Sequence, residues 1–343
     1  MKILVTGGTG FIGSHTVVEL QQCGFEVVIA DNLSNSYKNV VDAIQQITGI
    51  WPAFENTDLT CADQTRNLFE KHPDVSGVIH FAAFKAVGES ALLPLKYYHN
   101  NLFSLVNLLA VMQGNKVNNL VFSSSCTVYG QPDELPVDEQ SPVKKALSPY
   151  GNTKRISEEI INDVIRTSEL NALLLRYFNP IGAHESALIG ELPIGVPNNL
   201  VPYITQTAMG KRSSLSVYGN DYDTPDGTCI RDYIHVVDLA KAHVRALNRL
   251  LKKENRNNCE VFNLGTGNGF SVLDVIKSFE KISNIKLPYK VVERRPGDVD
   301  KIWADTRLAN EILGWKAEKD LDEMMLSAWN WELKYSEKMK TNN

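Results

Sequence analysis

From Lys2 to Tyr177, short β-branched runs alternate with longer stretches whose apolar residues recur at helical spacing. This is the pattern of a parallel sheet covered by helices on both faces. Strands are predicted over Lys2–Thr6 and over residues 26–30, 77–81, 119–124 and 172–177. Between the first two, Ile12, Thr16, Leu20 and Cys23 mark one helical face, and Gly24 supplies its stop. Beyond Asn179 the alternation fails, and residues 182–199 and 220–232 are rich in Gly, Pro, Asn and Asp, as long loops are. A helix over Val236–Leu251 and a strand over residues 261–264 are predicted to return to the first sheet. Residues 252–258 read as a solvated loop and 337–343 as a frayed tail, and there is no internal repeat. The expected fold class is α/β: a doubly wound parallel sheet over residues 1–179, joined by about 233–264, with a smaller α/β domain over 180–343.

A chain of 343 residues exceeds what one core usually serves, which agrees with two domains. Its charged residues, 22% of the chain with a net charge of −5, lack the basic excess that nucleic acid demands. The apolar run Ile3-Leu4-Val5 is too short for a secretory core or a membrane span, and no later apolar run approaches that length. Cys23, Cys61, Cys126, Cys229 and Cys259 are odd in number and widely spaced, which points away from a disulfide framework or a metal site and toward a reducing cytoplasm.

The first loop carries chemistry. Gly7-Gly8-Thr9-Gly10-Phe11-Ile12-Gly13 follows a buried strand and opens a helix. It can be read with Gly8, Gly10 and Gly13, or with Gly7, Gly10 and Gly13, as a dinucleotide fingerprint, making the sheet Rossmann-like. Without side chains the backbone can approach a pyrophosphate, whose charge then meets unpaired helix N–H groups. Asp31 ends the second strand, where a carboxylate accepts ribose hydroxyls and repels a 2′-phosphate, favouring NAD over NADP. Farther on, Tyr150 and Lys154 lie one turn apart on a helix, and Ser125 closes a run of three serines at the carboxyl edge of the sheet. A phenol near pKa 10 is a poor base, but an adjacent ammonium and a cationic nicotinamide both favour the phenolate.

These segments resemble the extended short-chain dehydrogenase/reductase family and, within it, the UDP-glucose 4-epimerases. The likeness runs through Asp31 to Ser36, His80 to Ser90, Ser123 to Gly130, Arg176 to His184, Pro197 to Leu200, Tyr218 to Tyr222, Arg231 to Val236 and Arg294 to Asp298. The resemblance implies an NAD site lined by Gly7, Gly10, Phe11, Ile12, Gly13, Asp31, Asn32, Leu33, Ser34, Asn35, Ser36, Asp58, Leu59, Phe81, Ala82, Ala83, Phe84, Lys85, Asn100 and Phe178, with Lys154 on the nicotinamide ribose. It implies that Tyr150 is the base and that Lys85, Ser125 and Tyr150 face cofactor and substrate alike. Asn179, Asn199, Leu200, Ser216, Val217, Tyr218, Arg231, Arg295 and Asp298 would hold the UDP half, the arginines meeting diphosphate with planar donor forks. His80 shows no metal-ligand spacing and is expected to pack beside the cofactor. Asn152 and Thr153 depart from the common pattern and are expected to point away from the substrate. Cys126, where alanine is common, is expected to be packed rather than reactive.

The implied reaction reverses the C4 configuration of UDP-galactose or UDP-glucose through a 4-keto sugar, with NAD transiently reduced. Ile302, at a position beside the hexose where a bulky tyrosine would restrict the pocket, suggests that UDP-N-acetylhexosamines also react. A homodimer is expected through residues 91–115 and 150–170, which match helices that pair into a four-helix bundle in the family. Two other readings are open: a nucleotide-sugar 4,6-dehydratase or decarboxylase, and an NAD-binding sensor without activity. The first needs a carboxylic acid after Ser125, where Cys126 and Thr127 stand; the second would be expected to lack Tyr150 or Lys154.

Overall fold

A computed structural model describes residues 1–295 and 298–341. Pro296 and Gly297, inside one of the motifs above, and Asn342 and Asn343 of the tail lie outside the described residues. The first part of the chain runs β1 (Lys2–Thr6), α1 (Phe11–Gln22), β2 (Glu26–Asp31), α2 (Val40–Thr48), β3 (Ala53–Asn56), α3 (Ala62–Lys71), β4 (Val75–His80), α4 (Val87–Leu92), α5 (Pro94–Gly114), β5 (Asn119–Ser123), α6 (Pro149–Ile165) and β6 (Asn171–Tyr177). Then come β7 (Asn179–Ile181), α7 (Leu200–Ala208), β8 (Leu215–Tyr218), β9 (Ile230–His235), α8 (Val236–Leu251), β10 (Cys259–Leu264), β11 (Gly269–Ser271), α9 (Val272–Ser283), β12 (Tyr289–Val292), β13 (Lys301–Ile302) and α10 (Leu321–Thr341).

Seven parallel strands form the main sheet in the order β10-β6-β5-β4-β1-β2-β3. Alternate residues of each strand face opposite layers. Ile3, Val5, Ile29, Ile79, Val121 and Leu173 pack against Val17 of α1 and Leu247 of α8. Leu4, Val28, Val78, Leu120, Phe122 and Leu174 pack against Leu68 of α3, Leu108 of α5 and Ile161 of α6. The chain steps outward from β1 to β2 and β3, and from β4 to β5 and β6, so the order reverses between β1 and β4. Ligands of open α/β sheets bind at such a switch point. A second, four-stranded sheet joins β11, β9 and β13, with β7 also on β9, and a third pairs β12 with β8. Ile181, Val201, Val217, Tyr233, Ile276 and Met325 build the core beneath these strands.

Several boundaries differ from the sequence expectation. β3 has no apolar run to announce it, being an edge strand that among the described residues pairs with β2 alone. The helix expected over 91–115 is divided at Leu93, because Pro94 occupies the first position of α5. The stretch expected over 150–170 leaves the helix after Ile165, where Ser168 turns its hydroxyl onto the Val164 carbonyl at 2.7 Å. Ile230 to Asp232, read as loop, pair with β11 as part of β9. The tail is helical as far as Thr341, with Ser336 buried and accepting from Lys211 at 2.9 Å.

Candidate active site

Over the carboxyl ends of the main sheet lies a cleft of about 1070 Å³. At one end the loop after β1 and the loop after β4 meet so closely that a Cβ on Gly7 would stand 2.9 Å from the Ala82 nitrogen. Gly7 has φ +69°, a conformation natural only to glycine, and a Cβ on Gly13 would fall 2.2 Å from the Gly7 oxygen. Gly8 instead faces Ile29 in the core, so Gly7, Gly10 and Gly13 form the working register. Gly10 precedes α1 with no side chain capping the helix, leaving the first-turn N–H groups of Phe11, Ile12 and Gly13 to face the cleft.

Asp31 closes this end. Its Oδ2 accepts the Thr9 N–H at 3.2 Å, and its Oδ1 accepts the Leu33 N–H at 2.9 Å and the Ser36 hydroxyl at 3.0 Å. A carboxylate has about four acceptor sites, so about one is left for an outside donor. Asn32, Ser34, Asn35 and Ser36 also line the wall, as do Asp58 and Leu59. Leu33 does not; its backbone serves to hold Asp31. Phe81, Ala82, Ala83, Phe84 and Lys85 form the opposite wall with Asn100. Its shape is kept by Asn101, which accepts the Phe84 N–H at 2.9 Å and donates to the Phe84 carbonyl and to Thr153 Oγ1, both at 3.0 Å. The chain's close approaches and its anchored acid fit a dinucleotide.

At the centre, Ser148 caps α6 by accepting the Gly151 N–H at 3.1 Å, and Pro149 starts the helix. The next turns bring Tyr150 and Lys154 under the end of β5, where Ser125, Tyr150 and Lys154 all line the cleft. Lys154 donates to the Ser123 carbonyl at 2.6 Å, and its ammonium lies 4.9 Å from the Phe122 ring centroid. Burial lowers the lysine to about 7, against the attraction of Glu158. Burial raises the Tyr150 phenol above its ordinary value, Tyr177 adds to the rise, and a hydrogen bond with Ser125 opposes it. In this dry site burial favours the neutral phenol, which the ammonium and the nicotinamide charge expected from the sequence would both have to oppose.

Asn152, Thr153 and Cys126 are placed as the sequence led one to expect, and His80 sits just outside the cleft lining. The His80 Nδ1 lies 2.7 Å from Thr6 Oγ1. Thr153 is buried and Asn152 donates to the Tyr98 hydroxyl at 2.7 Å, both away from the cleft. Cys126 does line it, but burial pushes its thiol up to about 12, as expected of a packed group.

At the far end, β9 presents Arg231, and Arg295 stands beside it over the Tyr218 ring at 5.6 Å. Both arginines lean on Asp298, Arg295 at 2.8 Å and Arg231 at 3.8 Å, so one anion is shared by two cations and a net positive charge remains. Phe178, Asn179, Asn199, Leu200 and Ser216 complete this half, whereas Val217 is turned into the core. Ile302 pairs in register with Arg231 and is buried with Cys126 and Phe178 while bordering the cleft.

Sequence reasoning missed Tyr177 and Glu191. Tyr177 lines the cleft with its hydroxyl 2.5 Å from Ser123 Oγ, and its place at the end of a predicted strand was the available signal. Glu191 accepts from Lys85 at 2.9 Å and Asn199 at 2.5 Å, but it lies in an irregular loop whose sequence carries no periodicity.

Comparison with known proteins agrees with this geometry. Residues 4–327 match a family model described as GDP-mannose 4,6 dehydratase. A UDP-glucose 4-epimerase of Drosophila melanogaster is 50% identical over 341 residues, covering 96% of each chain. One from Bacillus subtilis is 49% identical, covering 97% of each. The crystal structure of UDP-glucose 4-epimerase from Bifidobacterium longum, in complex with NAD+ and UDP, superposes with a TM-score of 0.94 at 46% identity, covering 98% of this chain and 99% of that one. The dehydratase description covers a shared framework, and the cleft has Cys126 and Thr127 where dehydration would need a carboxylic acid after Ser125. With near full-length identity on the other side, the chain belongs to the UDP-glucose 4-epimerase family.

Proposed function

We infer that this protein is an NAD-dependent isomerase that interconverts UDP-galactose and UDP-glucose by inverting C4. The observation that carries the reading is one continuous cleft with a glycine loop and Asp31 at one end, Ser125, Tyr150 and Lys154 at its centre and Arg231 and Arg295 at the other. Incubation with UDP-galactose, followed by chromatographic resolution of the nucleotide sugars, tests it: UDP-glucose must appear without net consumption of added NAD.

Gly7, Gly10 and the first turn of α1 would hold the pyrophosphate of NAD, Asp31 the adenine-side ribose, and Lys154 the nicotinamide ribose. Bound NAD+ supplies the acceptor and donor of the C4 hydride and a ring charge that favours the Tyr150 phenolate. Tyr150 takes the proton of the 4-hydroxyl and returns it, while Ser125 orients the same oxygen. Arg231 and Arg295 anchor the diphosphate with charge-assisted bonds. Strong contacts thus fall on the nucleotide, leaving the 4-keto hexose free to present its other face.

Four further assignments rest on the same reading. Ile302 borders the cleft with an aliphatic side chain smaller than a tyrosine ring, which supports turnover of UDP-N-acetylhexosamines. Leu92, Leu95, Phe103 and Val106 stand on the outer side of α4 and α5 with 81, 80, 55 and 48% of their surface exposed, an apolar stripe that supports a homodimer through these helices and α6. Residues 1–179, joined by 233–264, serve as the cofactor domain and 180–343 as the sugar-nucleotide domain, the latter carrying Arg231 and Arg295. Five unpaired cysteines support a cytoplasmic setting.

A further inference from the structure

Below the Tyr150 and Lys154 pair, α6 continues the same stripe with Glu158. Residues four apart on a helix stand one above another, so the three share the face turned to β5 and β6. Glu158 and Arg176 of β6 are both buried, each with 7% of its side chain exposed. Arg176 donates to the carboxylate twice, from Nε at 3.0 Å and from Nη2 at 2.6 Å. Ser124 adds a third bond at 2.5 Å. The remaining Arg176 nitrogen donates to the Tyr129 hydroxyl at 3.1 Å, which donates to Asn263 at 2.7 Å. A buried ion pair is weak support for stability, because desolvation offsets the attraction and apolar residues of similar volume often serve as well. Its location suggests another role.

Ser124 is the middle of three serines. The carbonyl of the one before holds Lys154, and the hydroxyl of the one after bonds to Tyr150. We propose that Glu158 is a positioning residue for the epimerisation: clamped by Arg176 and Ser124, its carboxylate sets a fixed negative charge one turn below Lys154 and pins the strand end that carries Ser123 and Ser125. The proposal rests on the reading of Tyr150 and Lys154 given above.

The groups facing Lys154 leave this role to Glu158. From β5 come the Ser123 carbonyl and the Phe122 ring. From β6 comes Tyr177, whose phenol burial pushes up to about 12, and from β4 His80, whose imidazole burial and then Lys154 itself bring down to about 3. The Cys126 thiol at about 12 and the raised Tyr150 phenol are likewise neutral at pH 7. Arg176 is the other charge on β6, and Glu158 covers it with two bonds. Glu158 is the group that opposes the loss of the lysine proton to burial. Without its charge Lys154 deprotonates at lower pH, and its support for the Tyr150 phenolate goes with the proton.

The test is the pH profile of kcat and KM for UDP-galactose with the full-length holoenzyme. Glu158→Gln should move the alkaline limb of kcat down by about one pH unit. KM should stay within about twofold of the parent. If the unpaired Arg176 prevents folding, Glu158→Gln combined with Arg176→Met removes both charges at similar volume and should displace the limb in the same direction by a smaller amount. Ser124→Ala tests the pin alone, with kcat reduced about threefold to tenfold and the limb in its parental place. A parental pH profile in a folded Glu158 variant, with Lys154→Met inactive, overturns the proposal. Full turnover by Lys154→Met overturns instead the reading beneath it.

Discussion

Replacing Gly13 by alanine adds one methyl group at the tightest point of the phosphate loop. The new Cβ would lie 2.2 Å from the Gly7 oxygen and 2.9 Å from the Gly8 Cα, where ordinary contact begins at 3.4 Å. Neither neighbour is a flexible side chain. Gly7 is itself fixed, its N–H donating to the Ala30 carbonyl at 2.8 Å and its Cα side lying against Ala82. The strain must therefore move α1 off the sheet by about 1 Å, a misfit that typically costs about 1–3 kcal/mol. In a chain of 343 residues the Tm should fall by about 1–4 °C. The first-turn N–H groups travel with the helix, and losing one charge-assisted bond of about 1.5–3 kcal/mol weakens NAD binding by about 10- to 150-fold. Thermal unfolding with NAD titrated in measures both effects. Gly24→Ala is the control: it has φ +82° and no atom within 4 Å of its added Cβ, so it strains a turn without touching the site. A Gly13→Ala protein with parental Tm and NAD affinity within twofold would refute the reasoning.

Other outcomes follow from the same structure. The protein should turn over UDP-N-acetylgalactosamine as well as UDP-galactose, and Ile302→Tyr should abolish the first while sparing the second; a parent active on UDP-galactose alone contradicts the role given to Ile302. Burial holds His15 and His80 down to about 3 and His235 and His243 to about 4. The unfolded chain takes up these protons near the ordinary imidazole value of 6.5, so stability is full above that pH and is lost progressively between about 6.5 and 3. His243→Gln should flatten the fall of Tm on acidification through this range, and an unchanged slope would exclude its contribution. Leu95→Glu with Phe103→Glu places charge on the exposed stripe of α5 and should yield monomers in sedimentation, whereas a dimer of unchanged affinity would place the interface elsewhere.

The sheet was readable because buried parallel strands are apolar on both faces, as Ile3 to Val5 and Leu173 to Leu175 show. β3 was not, since an edge strand with Ala53 and Asn56 exposed needs no such run. The glycine loop, Asp31, Ser125, Tyr150 and Lys154 were legible through their spacing and through the residue types the chemistry requires. The contributions of Leu33 and Val217 were misplaced because residues within a motif alternate in direction, one serving the cleft through its backbone and the other joining the core. Glu191, Glu158 and Arg176 act through contacts between distant segments, with Lys85 and Glu191 lying 106 positions apart, and no local pattern records such a meeting.

The central claim is that Tyr150 handles the proton at C4 of a UDP-hexose. It is tested most directly by the turnover of UDP-galactose by Tyr150→Phe, with UDP and NAD binding measured on the same preparation. The ring and its packing remain and only the hydroxyl is lost, so binding should persist while turnover falls by about 100-fold or more. Wild-type turnover by the Phe variant would contradict the account.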